Sequence, residues 1–235
     1  MVRIIRMQDT SKEALLAYLK GLSFKTVLDA PSGGGWLTKA LGNEVEIDGI
    51  DLYAQTTGNY RRVWQHDLDT GLPKNIGTYD LICCCEGIEH VGNPLLLLKS
   101  FWNHLNLDGT LVITTPNVWY PHSRLQYYSR GFFPGFPPLA DKVHPGTHMH
   151  ITPWSWAQLY VYFRLAGCPA PDIIEEPLSK PKYFHERLLS LPGRLYCKRK
   201  MTKAKTPEEA AYWACAGSEA SLLGRHLTVA CQKLE

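Results

Sequence analysis

The chain has 235 residues, 45% hydrophobic and 20% charged, with a formal charge of +3. That composition excludes disorder as the default, and the length suits one α/β domain with a modest insertion. So small a net charge does not by itself point to nucleic acid. No run of about 18 apolar residues occurs, which argues against a transmembrane helix. The opening MVRIIRMQDTSKE has neither a long apolar core nor a small-residue cleavage site, so no secretory signal is expected. Seven cysteines occur without a CxxC pair, and Cys83, Cys84 and Cys85 are adjacent in what reads as a buried strand. Neighbours on one strand face opposite ways and cannot form a framework of staples. A reduced, cytoplasmic compartment is the natural expectation.

Short apolar runs alternate with helical patterns in the first half, as in repeated βαβ units. Residues 11–22 read as an amphipathic helix with Ser11 as its N-cap. A first strand at 26–29, a glycine-rich turn and a helix at about 36–41 follow. A second strand at 45–50 ends at Asp51, and a short third strand lies near 62–65 before a turn at 66–73. YDLICCC, residues 79–85, is a continuous apolar run fit for a central parallel strand. A helix at 94–105, a turn at 107–109 and a fifth strand at 110–115 come next. Residues 116–146 are rich in proline, glycine and aromatics and are expected to be an ordered insertion. A helix at 154–166 and a strand near 171–174 follow. Residues 180–205 carry nine Lys or Arg against one Glu; residues 207–216 look helical and 226–232 form a closing strand.

The chemistry starts at VLDAPSGGGWLTKAL, residues 27–41. Glycines at the carboxyl end of a first strand let the backbone approach a ligand, at the edge where open α/β sheets bind small molecules. Asp51, 22 residues after Asp29, ends the second strand, where a carboxylate can bind both ribose hydroxyls. The GxGxxG of dinucleotide dehydrogenases is not present.

This segment resembles the first motif of class I S-adenosylmethionine-dependent methyltransferases, with Asp29, Gly33 and Gly35 at the matching positions. Pro31 stands where that family usually has a glycine. QHDLDTGLP, residues 65–73, resembles the segment that reaches the adenine, which assigns that role to Asp67 and Leu68. Residues 79–94 and 105–117 resemble the family's fourth and fifth strand regions. The resemblance implies an α/β, Rossmann-like class I methyltransferase fold. Its seven-stranded sheet is mostly parallel with the last strand antiparallel, helices lie on both faces, and an insertion sits on the substrate side. It also implies S-adenosylmethionine as cofactor, held by Asp29, Ala30, Gly33, Gly35, Asp51, Leu52, Asp67, Leu68 and Glu86. Residues 1–235 are then a single methyltransferase domain, with a core at 22–117, an aromatic and His-rich insertion at 118–152 and a basic, helical insertion at 176–224.

CEGIEH, residues 85–90, directly follows the fourth strand, and His144, His148 and His150 form a second cluster. Carboxylates with imidazoles suit a divalent ion. Glu-x-x-Glu-His with a later His is similar to the metal site of ubiquinone-pathway O-methyltransferases and of small-RNA 2′-O-methyltransferases. The ligand set so implied is Glu86, Glu89, His90 and His148, with His150 as a rival. A bound ion would lower the pKa of a substrate hydroxyl. Without metal, His90 is the candidate general base, with Glu89 and His148 beside it.

Trp119, Tyr120, Tyr127, Tyr128, Phe132, Phe133 and Phe136 crowd the insertion. They either line an acceptor pocket or pack a small subdomain. Arg124 and Arg130 lie among them, where they could meet an anionic group. Residues 180–205 read as a solvated basic loop or as an amphipathic surface helix interrupted at Pro192 and Gly193, able to dock an anionic surface or substrate. The order of these segments also resembles bacterial methyltransferases of glycan or lipopolysaccharide loci. The expected function is methyl transfer to an oxygen of a small-molecule or glycan- or lipid-linked acceptor. A metal-assisted RNA-terminal 2′-O-methyltransferase and a non-catalytic, methyltransferase-like binding subunit are the alternatives. Nucleic acid is the less favoured partner, the cytoplasm or the periphery of a membrane the expected location, and the oligomeric state stays open.

Overall fold

The computed structural model describes residues 9–53, 57–136, 143, 149–176 and 185–234. Seven strands form one sheet in the order β3-β2-β1-β4-β5-β7-β6. They are β1 (Thr26–Asp29), β2 (Glu46–Asp51), β3 (Arg62–Gln65), β4 (Tyr79–Cys85), β5 (Leu105–Pro116), β6 (Asp172–Ile173) and β7 (His226–Gln232). β1 pairs in parallel with β2 and β4, β2 with β3, and β4 with β5. β7 runs antiparallel to β5 and β6. The mostly parallel sheet with an antiparallel last strand expected from the sequence is therefore present.

Alternation along the strands divides the core into two layers. Leu28, Ile82, Cys84, Leu111 and Ile113 pack on one face with α3 (Pro94–Asn103) and α5 (Trp156–Ala166). Val27, Leu81, Cys83, Cys85 and Val112 pack on the other with α1 (Asp9–Leu19) and α2 (Trp36–Leu41). The three adjacent cysteines divide between the faces as expected, and all seven cysteines are free thiols. α3 starts where Asn93 Oδ1 accepts from the Leu96 amide and Pro94 takes the first turn. None of the described helices is long and apolar enough to cross a membrane.

Three sequence expectations need correction. Ser11 lies inside α1 rather than at its cap, and its hydroxyl donates to Glu176 at 2.9 Å. The expected turn at 107–109 is present as an irregularity within β5, where the pairing steps from Tyr79–Leu105 to Leu81–Thr110 and Asp108 is left-handed at φ 63°. The insertion contains an unforeseen helix, α4 (Pro121–Arg130), which buries only Pro121 and Ser123. The described part of the basic stretch is neither a loop nor an interrupted helix, because α6 (His185–Met201) runs through Pro192. Its inward face packs on α7 (Pro207–Ala216) and α8 (Glu219–Leu223). The carbonyl that Pro192 leaves without an amide donor lies beside exposed residues, where water can serve it. Residues 180–184 lie outside the described residues.

Candidate active site

Because β1, β2, β4 and β5 are parallel, their carboxyl ends share one edge of the sheet. Asp29 ends β1 and is fully buried. The chain turns there through a cis Ala30–Pro31 peptide, with the Ala30 amide donating to the Cys83 carbonyl and the Ser32 amide to that of Ile50. The Gly33 amide donates to Asp51 Oδ2 at 2.8 Å, and the Tyr53 amide to Oδ1 at 2.9 Å. Asp51 therefore fastens the glycine turn to the end of β2. A Cβ on Gly35, where φ is +67°, would stand 1.6 Å from the Thr57 carbonyl oxygen. Above Gly33 and Gly34, by contrast, nothing lies within 4 Å of an added Cβ. The turn is thus closed beneath and open above, as a cofactor cradle requires.

Asp29 accepts from the Tyr60 hydroxyl at 2.7 Å, and its Oδ1 has no hydrogen bond among the described residues. Burial pushes its carboxyl up to about 7; the Tyr60 hydrogen bond opposes the rise and the Asp51 charge adds to it. Tyr60 is a site residue that no motif in the sequence marked. Its one trace there is Gly49 in β2, where a Cβ would come within 3.0 Å of the Tyr60 ring. Leu52 is exposed beyond Asp51. Asp67 caps a 3-10 turn (Leu68–Thr70) by accepting from the Asp69 amide, and Leu68 is buried beneath it.

After β4 the chain enters Glu86 at φ 50° and a second 3-10 turn, Ile88–His90. Glu86 Oε1 accepts from the Thr114 hydroxyl at 3.0 Å, and Oε2 lies 3.3 Å from His226 Nε2. Glu89 is buried, accepts from the Thr115 hydroxyl through Oε2, and has no hydrogen bond to Oε1 among the described residues. Its carbonyl accepts from the Ile151 and Thr152 amides. The Met149 carbonyl lies 2.6 Å from His90 Nδ1, so Nδ1 carries the proton and the Nε2 lone pair faces Glu89 Oε1 at 3.7 Å. These bonds seat His150 against His90, with ring centroids 4.8 Å apart.

Ligand atoms of Glu89, His90 and His150 all lie within 4.8 Å of one another. Three donors on one ion at about 2.1 Å stand no more than about 4.2 Å apart, so a small inward movement closes the set. Burial, then the nearby Glu86 charge, holds the Glu89 carboxyl well above the usual range. A cation at this point would relieve both. Of the residues singled out from sequence, the structure brings Glu89, His90 and His150 together. Glu86 is turned toward Thr114 and His226 and stands outside that set. His144 and His148 lie outside the described residues.

From the cluster an aromatic row leads outward. Phe136 meets His150 edge-on at 5.4 Å between centroids, Phe133 meets Phe136 at 6.4 Å, and Tyr127 stacks on Phe133 at 4.3 Å.

The methyltransferase-domain family model matches residues 5–168. The chain belongs to that family. Over 108 residues it is 34% identical to the ubiquinone biosynthesis O-methyltransferase of Vibrio parahaemolyticus, covering 41% of this chain and 46% of that protein. It is 27% identical to the Paraburkholderia xenovorans enzyme of the same name over 68% of this chain and 72% of that one. The chain thus spans about half the length of the first of these relatives. Among solved structures it is similar to a chain of the complex between the Haloferax volcanii Trm112 methyltransferase activator and a methyltransferase. The TM-score is 0.57 and the identity 18%, over 96% of this chain and 89% of that one. That likeness shows the fold of the methyltransferase family member.

Proposed function

We propose that this methyltransferase family member moves the methyl group of S-adenosylmethionine to a hydroxyl oxygen of a small-molecule or glycan- or lipid-linked acceptor. The observation that carries the reading is the convergence of Glu89, His90 and His150 on the same sheet edge as the open turn at Gly33 and Gly34. The cofactor, when bound, supplies an electrophilic sulfonium methyl. Asp51 offers its carboxylate to the ribose, Asp29 and the glycine turn shape the cradle, and Asp67 and Leu68 flank the base. His90 Nε2 accepts the acceptor's hydroxyl proton, with the ring held by the Met149 carbonyl and Glu89 facing it. The aromatic row from Tyr127 to His150 favours an acceptor with a planar ring, and the names of the Vibrio and Paraburkholderia relatives support O-methylation.

A second reading rests on the chemistry of the donor set. Glu89, His90 and His150 would hold a divalent ion, which lowers the pKa of the acceptor hydroxyl. Glu89, buried beside Glu86, favours a cation there over a second bare carboxylate.

Calorimetric titration with S-adenosylmethionine tests the cofactor, and absence of binding would end the proposal. Transfer of labelled methyl to catechols, sugars and lipid-linked sugars, with elemental analysis of the protein, separates the acceptors and the two readings. A metal-free protein that methylates a catechol leaves His90 as the base; activity that needs added metal favours the ion.

A further inference from the structure

α6 is built inside out. Its buried side chains are Glu186, Ser190 and Cys197, and an added Cβ on Gly193 would meet Leu222 of α8 at 3.5 Å. Small and polar residues at this helical spacing form the inward face. The outward face carries the large apolar ones: Leu188 is 67% exposed, Leu195 65% and Leu191 44%. Their i, i+3, i+7 spacing aligns them in one stripe along the helix. No packing demand of the described fold accounts for them, because their side chains face away from α7 and α8.

Basic groups surround the stripe. Lys198 and Arg199 follow on its two flanks, and neither makes an ion pair among the described residues. Beyond them a cleft of about 390 Å³ is lined by Tyr196, Arg199, Lys200, Lys203, Lys205 and Glu209, four cations against one carboxylate. Lys200 is held over the rings of Tyr196 and Trp213 at 5.8 and 5.7 Å.

We propose that α6 and the turn after it dock on an anionic lipid bilayer. Leu188, Leu191 and Leu195 enter the headgroup boundary, and Lys198, Arg199, Lys203 and Lys205 meet lipid phosphates, while Lys200 stays on the α7 side over Trp213. Leucines between cations match a surface that is apolar within and anionic at its face. A nucleic acid backbone would engage the cations and leave the leucine stripe in water. The inference does not depend on the proposed methyl transfer.

The test is co-sedimentation of the full chain with vesicles of phosphatidylcholine alone and of an equimolar mixture with phosphatidylglycerol. Partition onto the mixed vesicles is expected to be about tenfold or more above that onto phosphatidylcholine. A Leu188→Ser, Leu191→Ser, Leu195→Ser variant and, separately, an Arg199→Glu, Lys203→Glu variant should each lower it by about tenfold or more. All five positions are exposed, and an unchanged far-UV circular dichroism spectrum ties the loss to the surface. Equal or absent partition of the wild type on both vesicles overturns the proposal. So does a leucine variant that binds as well as wild type, which would mark a purely ionic site for a nucleic acid or free phosphate. A dimer in sedimentation equilibrium that the leucine substitutions dissolve would also overturn it, by assigning the stripe to a second copy of the chain.

Discussion

Pro31 and Gly87 meet at the carboxyl edge of the sheet, so closely that a Cβ on Gly87 would stand 2.2 Å from Pro31 Cδ. The proline that departs from the family's usual glycine is therefore matched by a glycine after β4. This contact couples the cofactor turn to the loop bearing Glu86, Glu89 and His90. Gly87→Ala should lower stability by about 1–3 kcal/mol, since neither the proline ring nor the backbone can yield cheaply. It should also weaken cofactor binding, because the displaced neighbour is the turn itself. Chemical denaturation and calorimetry check the two effects, and unchanged values for both would show that the loops are not coupled.

Asp29 gives the protein a pH dependence opposite to that of a salt-bridged carboxylate. Its carboxyl is raised from 3.8 to about 7 by burial, so the folded state holds that proton more tightly than the unfolded chain does. The associated stability is fully present below about pH 4 and declines as pH rises toward 7. The total loss is on the order of 4 kcal/mol at most. Asp29→Asn should flatten that slope and leave the Tyr60 hydroxyl an oxygen to donate to. Thermal melts between pH 4 and 8 decide the matter, and parallel slopes for variant and wild type would place the titration elsewhere.

β1, β4 and β7 were legible because their apolar runs are short and bounded by turn residues, and the glycine turn because a strand led into it. α4 was not, because it buries only Pro121 and Ser123 and sits in a segment whose prolines, glycines and aromatics read as irregular. α6 was obscured by Pro192 and Gly193, which locally signal a break, whereas the helix runs through both and packs on α7 and α8. In the site, the adjacency of Glu89 and His90 was visible. His150 lies 60 residues from His90, and it is brought in by the bonds from the Ile151 and Thr152 amides to the Glu89 carbonyl and by the Met149 carbonyl on His90. The departure of Glu86 toward His226 depends on a positive φ that no neighbouring residue type announces.

Asp51 has two jobs, and substitutions separate them. Its Oδ2 holds the Gly33 amide and its Oδ1 the Tyr53 amide, and it is the carboxylate proposed to bind the ribose. Asp51→Ala should weaken S-adenosylmethionine binding by about tenfold to a hundredfold, the range for losing charged hydrogen bonds. Asp51→Asn keeps one acceptor for Gly33 and should fall between. Calorimetry measures both, and an affinity untouched by Asp51→Ala would move the ribose elsewhere.

The Glu186–Arg225 pair ties the first turn of α6 to the start of β7. Glu186 is buried, its Oε2 accepts from Arg225 Nη2 at 2.8 Å and its Oε1 from the His122 amide at 3.3 Å. The Arg225 guanidinium also lies 3.8 Å from the Tyr120 ring centroid, which joins the start of α4 to the same point. Removing one member strands the other, which costs more than replacing both. Glu186→Ala should therefore cost about 3 kcal/mol. The double variant with Arg225→Met should recover part of that loss, because no unmatched charge remains. A double-mutant cycle by denaturant unfolding measures the coupling. Strictly additive losses would show that the two side chains act independently, and that α6 is held by its packing on α7 and α8 alone.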